Sequence, residues 1–237
     1  MRERLITPEA FAQVWNDMLR GYGVSPARLL TGPEAAKRFW TDPDAERLLY
    51  QRGAMLAALW DQRLRRRGSS LDAVLRAQAR AFATRPDAEL IDLFVEQAAL
   101  QGLDVRADIA TYVEQGQALI LPADLFAPCA DLIEVRTPTF DLGFVPLMSG
   151  EGLMIITSVR QDSPAYRAGL RDGMTVVEKL RGTNGDAAQP YVLRMRSTDG
   201  AVQTLSFLPT GNGAVAYQQL ALRPEAVNAP EACDFRR

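Results

Sequence analysis

The stretch "LLYQRGAMLAALWDQRLRRRG", Leu48–Gly68, decides how the first half of the chain is read. Leu49, Gly53, Leu56, Trp60 and Leu64 recur at spacings of three and four, the period of a helix with one apolar face. Leu48, Met55 and Leu59 widen that face. Asp61 and Arg65 stand four apart in the favourable order for a helical ion pair. Gly68 is a suitable C-terminal stop. Gly53 is the anomaly, because glycine inside a helix costs about 1 kcal/mol against alanine. On periodicity alone this is a core helix that crosses a neighbour closely at Gly53. Tyr50 is then a surface residue, in line with Ala54, Ala57 and Asp61.

The same kind of element extends on both sides. Proline follows a small polar residue or glycine at Thr7-Pro8, Ser25-Pro26, Gly32-Pro33 and Asp42-Pro43, a repeated helix-start signal. The spacing predicts helices over 8–20, 26–30, 33–39, 43–67, 70–83, 87–101 and 106–117, with Ser70 capping the fifth. From about residue 131 the period changes. "GLMIITSV" reads as a strand, and "YVLRMRSTDGAVQTLSF" as a hairpin turning at Asp199-Gly200. The expected fold class is α+β in two domains, a helical bundle followed by a small β-rich domain. The expected boundaries are 1–120 for the helices, 121–135 for a linker, 136–222 for the β-rich domain and 223–237 for a tail.

Composition narrows the function. The chain has 237 residues and a formal net charge of −2, which gives no footprint for nucleic acid or an anionic membrane. No segment approaches the roughly 20 apolar residues of a membrane span. "MRERLITPEAF" has no apolar core and is not read as a signal peptide. Lysine occurs only at Lys37 and Lys179, and arginine carries the remaining positive charge, a bias that fits a GC-rich bacterial genome. The sequence has no histidine and two cysteines, Cys129 and Cys233, which can pair or stay free. Without histidine there is no Ser-His or Cys-His nucleophile pair. A zinc site, which needs three or four ligands, is not expected in this chain.

"YQRGAMLAALWDQRLRRRGSSLDAVLRA" resembles the Y-x-K/R-G-A and SLD-x-VLR segment of the glycyl-aminopeptidase family of zinc metallopeptidases. "LITPEAFAQVWNDMLRGYGVSPARLL" is similar to the helix that follows that family's third zinc ligand. The resemblance implies that 1–120 is the helical end of a thermolysin-like, gluzincin-type catalytic domain. It implies that Tyr50 donates a hydrogen bond to the oxyanion of the tetrahedral intermediate. Arg52 stands where lysine is commoner. It also implies zinc as the parent's cofactor, held by an HExxH region absent here. The expected partner is therefore that missing catalytic region, and the chain alone is expected to be inactive and truncated. The family is often exported, which makes a Cys129–Cys233 disulfide an expectation of the resemblance.

"SVRQDSPAYRAGLRDGMTVVEK" resembles the SPA…AGL…GD core of a bacterial PDZ domain, with Met174 in place of the usual aspartate. Ser163 is read as a helix cap, with Gly169 ending the helix and Gly173 turning into the next strand. By the same resemblance "FDLGFVPL" is a carboxylate-binding loop, with Leu142, Gly143 and Phe144 supplying amides to a peptide terminus. A strand-entry turn without ligand is the other reading. Asp141 at the mouth and a short, glycine-broken "TNGDAAQP" where a groove-wall helix is expected both favour the second. The expected function is thus a non-catalytic portion of a zinc aminopeptidase-like metallopeptidase with a degenerate PDZ domain. The alternative is a non-enzymatic PDZ-type peptide- or protein-interaction module on a helical scaffold.

Overall fold

The computed structural model describes residues 6–150, 152–224 and 226. The chain is α+β and divides into two compact units. The first comprises Met1–Glu134 and Gln218–Arg237, the second Val135–Tyr217. The second unit is therefore inserted into the first, which the expected boundaries did not include.

Unit one begins with three proline-started helices, α1 (Pro8–Val24), α2 (Gly32–Arg38) and α3 (Pro43–Arg65). Each has its cap. The Ala10 N–H donates to Thr7 Oγ1, the Asp44 N–H donates to Asp42 Oδ1, and Thr31 and Glu34 form a reciprocal capping box. Ser25-Pro26 starts only a turn, in which Ser25 Oγ accepts from Ala27 N–H at 3.1 Å. The helix expected over 26–30 does not form. Next come α4 (Leu71–Thr84), α5 (Leu90–Leu100) and α6 (Arg106–Asp108), the last running on as a π-helical turn over Ile109–Glu114.

α3 faces inward by a different stripe from the one its sequence suggests. Ala45, Leu48, Arg52, Met55, Leu56, Leu59 and Leu64 are buried, while Gly53 is exposed. A Cβ added at Gly53 would meet nothing within 4 Å, so no close crossing explains that glycine. The close approach lies at Gly116 instead, where φ is +67° and a Cβ would run into the Leu29 carbonyl oxygen. Arg52 lies within this buried face, its Nη2 donating to the Arg28 and Leu30 carbonyls.

The stretch expected as a linker, 121–135, is core. Leu121, Leu125, Ala130 and Leu132 join Leu19, Leu48, Met55, Leu59 and Leu119 in one cluster, which Leu220 completes. Polar side chains satisfy this chain's backbone where no sheet neighbour does. Tyr22 Oη accepts from Leu119 N–H at 2.8 Å. The Gln218 amide accepts from Leu121 N–H at 2.9 Å and donates to Leu121 O at 2.8 Å. Asn16 brackets Leu220 in the same way. Composition hid this role, because proline and alanine around the leucines look like a connector.

The chain leaves unit one along β1 (Ala130–Phe140) and returns along β7 (Thr210–Leu222), and these two pair as a two-stranded sheet. Unit two holds a five-stranded antiparallel sheet in the order β2-β3-β4-β5-β6. Its strands are β2 (Val145–Met148), β3 (Met154–Thr157), β4 (Thr175–Arg181), β5 (Tyr191–Arg196) and β6 (Val202–Phe207). The expected hairpin is present, with Leu193 opposite Leu205 and Gly200 in the turn at φ +89°. Ser163 caps the short α7 (Pro164–Arg167), and Gly169 (φ +103°) ends it. Ile156, Ala165, Leu170, Leu193 and Met195 make the core of this unit. Cys129, in unit one, is 3% exposed and disulfide-bonded. Cys233, the partner the resemblance implies, lies outside the described residues.

Candidate functional site

Tyr50 projects from the solvent face of α3 and is 67% exposed. Its hydroxyl makes no hydrogen bond among the described residues. The Phe39 ring lies 6.4 Å away, and Phe39 in turn meets Trp40 edge-on at 4.8 Å. Trp40 is 90% exposed. An unburied indole, a phenol and a ring between them form an aromatic patch at one end of the helix. One turn beyond Tyr50 its neighbours on this face are Gly53 and Ala54, both small and exposed.

Among the described residues no group of three or more His, Cys, Asp or Glu side chains could hold a metal ion. The sequence has no histidine, the commonest metal ligand.

Two residues beyond Tyr50, Arg52 turns the opposite way and is 3% exposed. Its Nη2 donates to the carbonyls of Arg28 and Leu30, both at 2.8 Å. Desolvation lowers its pKa from the usual value, and the neighbouring Tyr22 hydroxyl opposes that shift. The guanidinium staples the turn after α1 to α3 and so fixes the rotation that sends Tyr50 outward. Sequence reasoning noted Arg52 only as a substitution for lysine. Its one legible signal was a position three residues from Leu49 and four from Leu48 and Leu56.

In unit two, Gly143 and Phe144 are buried and Leu142 is half-buried. Gly143 sits at φ +76°, and a Cβ there would strike the Ser163 side chain, with Oγ at 2.7 Å. The loop is therefore pressed onto the start of α7. The amide of Gly143 is already used: it donates to Asp141 Oδ1 at 2.8 Å. Arg160 grips the same carboxylate at 2.7 and 3.3 Å. The Arg160 hydrogen bonds hold the Asp141 carboxyl below its usual pKa, with the Gly143 amide adding to the effect. Among the described residues, Leu142 and Phe144 N–H have no hydrogen-bond partner. No helix forms between β4 and β5.

β2 is an edge strand with Val145, Leu147 and Met148 more than half exposed. Pro146 lies opposite Ile156, whose N–H and C=O bond to Met174 O and Gly173 N. Ile156 thus spends its backbone groups on the β4 side. Pro146, its partner in a non-bonded pair, turns its own nitrogen and carbonyl toward the open edge. That edge offers an acceptor at Pro146 and no donor.

Among solved structures, an aminopeptidase N family protein from Idiomarina loihiensis has a similar fold, with a TM-score of 0.53 and 14% sequence identity. The match covers 95% of this chain and 44% of that chain, so this chain spans less than half the length of the structure it resembles. No protein-family model matches the chain, and no curated protein matches it. At that identity the likeness speaks for the fold.

Proposed function

We propose that the chain is the helical and PDZ-like portion of a glycyl-aminopeptidase-like zinc metallopeptidase, with Tyr50 as the hydrogen-bond donor to the reaction's oxyanion. The single observation that carries this is the presentation of Tyr50. The tyrosine of a Y-x-R-G-A segment stands unbonded and exposed on a helix whose neighbouring face is glycine and alanine. A phenol held out from a rigid helix can donate to developing negative charge at fixed geometry. A fold shared with an aminopeptidase N family protein supports the peptidase origin. The partner is a catalytic region that brings the zinc ligands and general base and covers the Phe39–Trp40–Tyr50 patch. Peptides are the substrate class, and the chain by itself hydrolyses none.

The PDZ-like reading of unit two rests on its order of parts: glycine loop, edge strand, second strand, Ser-Pro-Ala helix, strand. Its exposed apolar edge at Val145, Leu147 and Met148 favours the alternative, a module that docks another protein. Asp141 on the Gly143 amide and Pro146 at the edge argue against capture of a peptide terminus there.

The experiment is to produce this chain together with an HExxH-bearing catalytic region of the glycyl-aminopeptidase type. EDTA-sensitive removal of N-terminal residues from peptides, lost on Tyr50→Phe, is the expected result. Stoichiometric zinc and peptidase activity in the 237-residue chain alone would overturn the division of labour.

A further inference from the structure

Inside unit one, Arg52 on α3 and Tyr22 on α1 come together with more donors than acceptors. Arg52 is 3% exposed and Tyr22 4%. Arg52 Nη2 spends both of its protons, on the Arg28 and Leu30 carbonyls at 2.8 Å each. Nε and Nη1 are buried as well and have no hydrogen-bond partner among the described residues. Tyr22 Oη accepts from the Leu119 N–H at 2.8 Å, which leaves the hydroxyl its own proton to donate. No acceptor for that proton stands among the described residues.

The charge is as incomplete as the hydrogen bonding. Burial draws the Arg52 pKa down, and the Tyr22 hydroxyl opposes that shift. No carboxylate pairs with this guanidinium among the described residues. An arginine keeps its charge inside a protein. Buried charges are as a rule paired, and a buried donor left unpaired loses its hydration for nothing in return. Two carbonyl dipoles on Nη2 offset part of that loss, and Nη1 and Nε are left over.

We propose that Arg52 Nη1 and the Tyr22 O–H hold a small monovalent anion of the halide class, chloride first among them, inside unit one. The donors decide the class. Arginine has no acceptor at all, and the Tyr22 oxygen is already taken by the Leu119 N–H. A water in the same place needs acceptors for its own two protons. Gln51 Oε1, buried without a donor, is at most one of them, and the guanidinium charge stays uncompensated. Burial decides the size. A site with no open side takes a monatomic ion before a phosphate or a carboxylate-bearing molecule. With its charge neutralised, Arg52 can staple the turn after α1 to α3 without the full penalty of an isolated buried ion.

The test uses the whole chain and reads no peptidase activity, so it stands apart from the proposed reaction. Urea unfolding is followed at constant ionic strength while chloride replaces gluconate, an anion too large for the site. For a dissociation constant of about 10 mM, raising chloride from about 1 to about 100 mM lowers the unfolding constant roughly tenfold. Arg52→Met removes the charge and the donors but keeps the bulk, and it should abolish this dependence. Tyr22→Phe removes only the hydroxyl and should weaken chloride binding about threefold. Arg47→Met, at a half-exposed arginine of the same helix, should leave the dependence intact. A bromide soak of crystals should give an anomalous peak within hydrogen-bond distance of Arg52 Nη1 and Tyr22 Oη. Where Arg52→Met does not fold, Tyr22→Phe and the bromide peak decide. No chloride dependence in the wild type would overturn the proposal. So would an equal dependence in Arg52→Met, or a water at that place in the bromide-soaked crystal.

Discussion

Tyr50 in unit one and Gly143 in unit two each sit at the centre of a recognisable short pattern, and they end in opposite states. The tyrosine is 67% exposed with its hydroxyl unbonded. The glycine is buried, and its amide is held at 2.8 Å by the carboxylate two residues before it. One position is left for something else to meet, while the other has been met from within. A pattern reports which residue types stand at which spacing. It does not report whether a neighbouring side chain has already taken the place of the ligand. The two glycines beside these sites make the same contrast: Gly53 has nothing near its missing Cβ, and Gly143 has Ser163 against it.

The largest expected effect breaks or upholds the open side of the contrast. In an enzyme that includes the zinc-bearing region, Tyr50→Phe should lower kcat by about 10²–10³ with a smaller change in KM, as for loss of one oxyanion donor. The same substitution should leave the unfolding free energy of this chain within about 0.5 kcal/mol, since the side chain is exposed. An unchanged kcat would reduce Tyr50 to a surface residue.

Arg52 sharpens the contrast from the buried side of the same helix. Arg52→Ala removes two part-buried hydrogen bonds to carbonyls and leaves a void where a buried side chain stood, and it should cost about 3 kcal/mol in urea unfolding. Arg52→Lys should cost less, because an ammonium can still serve one or both of the Arg28 and Leu30 carbonyls.

The glycines give a pair of opposite sign. Gly143→Ala should destabilise by about 2 kcal/mol, from a left-handed φ and the clash with Ser163. Gly53→Ala should stabilise by about 1 kcal/mol, the helix-propensity difference, because the added methyl meets nothing. Destabilisation at Gly53 would mean that the open shelf beside Tyr50 is misread.

The smallest effect concerns pH. Asp141 has a folded pKa below its unfolded value, chiefly through Arg160. Its stabilising contribution is therefore present above the unfolded value of about 3.9 and is lost as pH falls through the lower, folded one. The carboxylate is 36% exposed, so solvent screens much of this. Acid titration of unfolding should show a slightly shallower decline below about pH 4 in Asp141→Asn than in the wild type. Identical curves would mean that the Arg160–Asp141 pair contributes nothing to the closed state of the loop.

What could be read from the sequence was local. Thr7, Asp42, Ser70 and Ser163 announce helix starts within three residues of themselves, and all four accept the expected backbone N–H. The hairpin at Asp199-Gly200 is specified by its own turn. What could not be read depends on partners far away in the chain. Arg52 is buried because two carbonyls more than 20 residues upstream receive it. The segment 121–135 is core because Gln218, nearly 100 residues later, serves the backbone of Leu121. The rings of Phe11 and Trp15 meet Phe126, and no period relates those positions. Of the site, Tyr50, Leu142, Gly143 and Phe144 were legible as candidates, whereas Arg160 was not, since its carboxylate lies 19 residues before it.

The insertion of residues 135–217 between two parts of unit one has a consequence for the order in which the protein is made. The ribosome delivers α1 to β1 first, but Leu220 and the amide of Gln218 that finish their packing emerge only after the whole of unit two. At roughly 5–20 residues per second that is a wait of about 4–16 s. During it the helices hold an unfinished apolar seam, while the inserted sheet already has all of its own strands. The later-encoded unit therefore has the earlier opportunity to complete its own core.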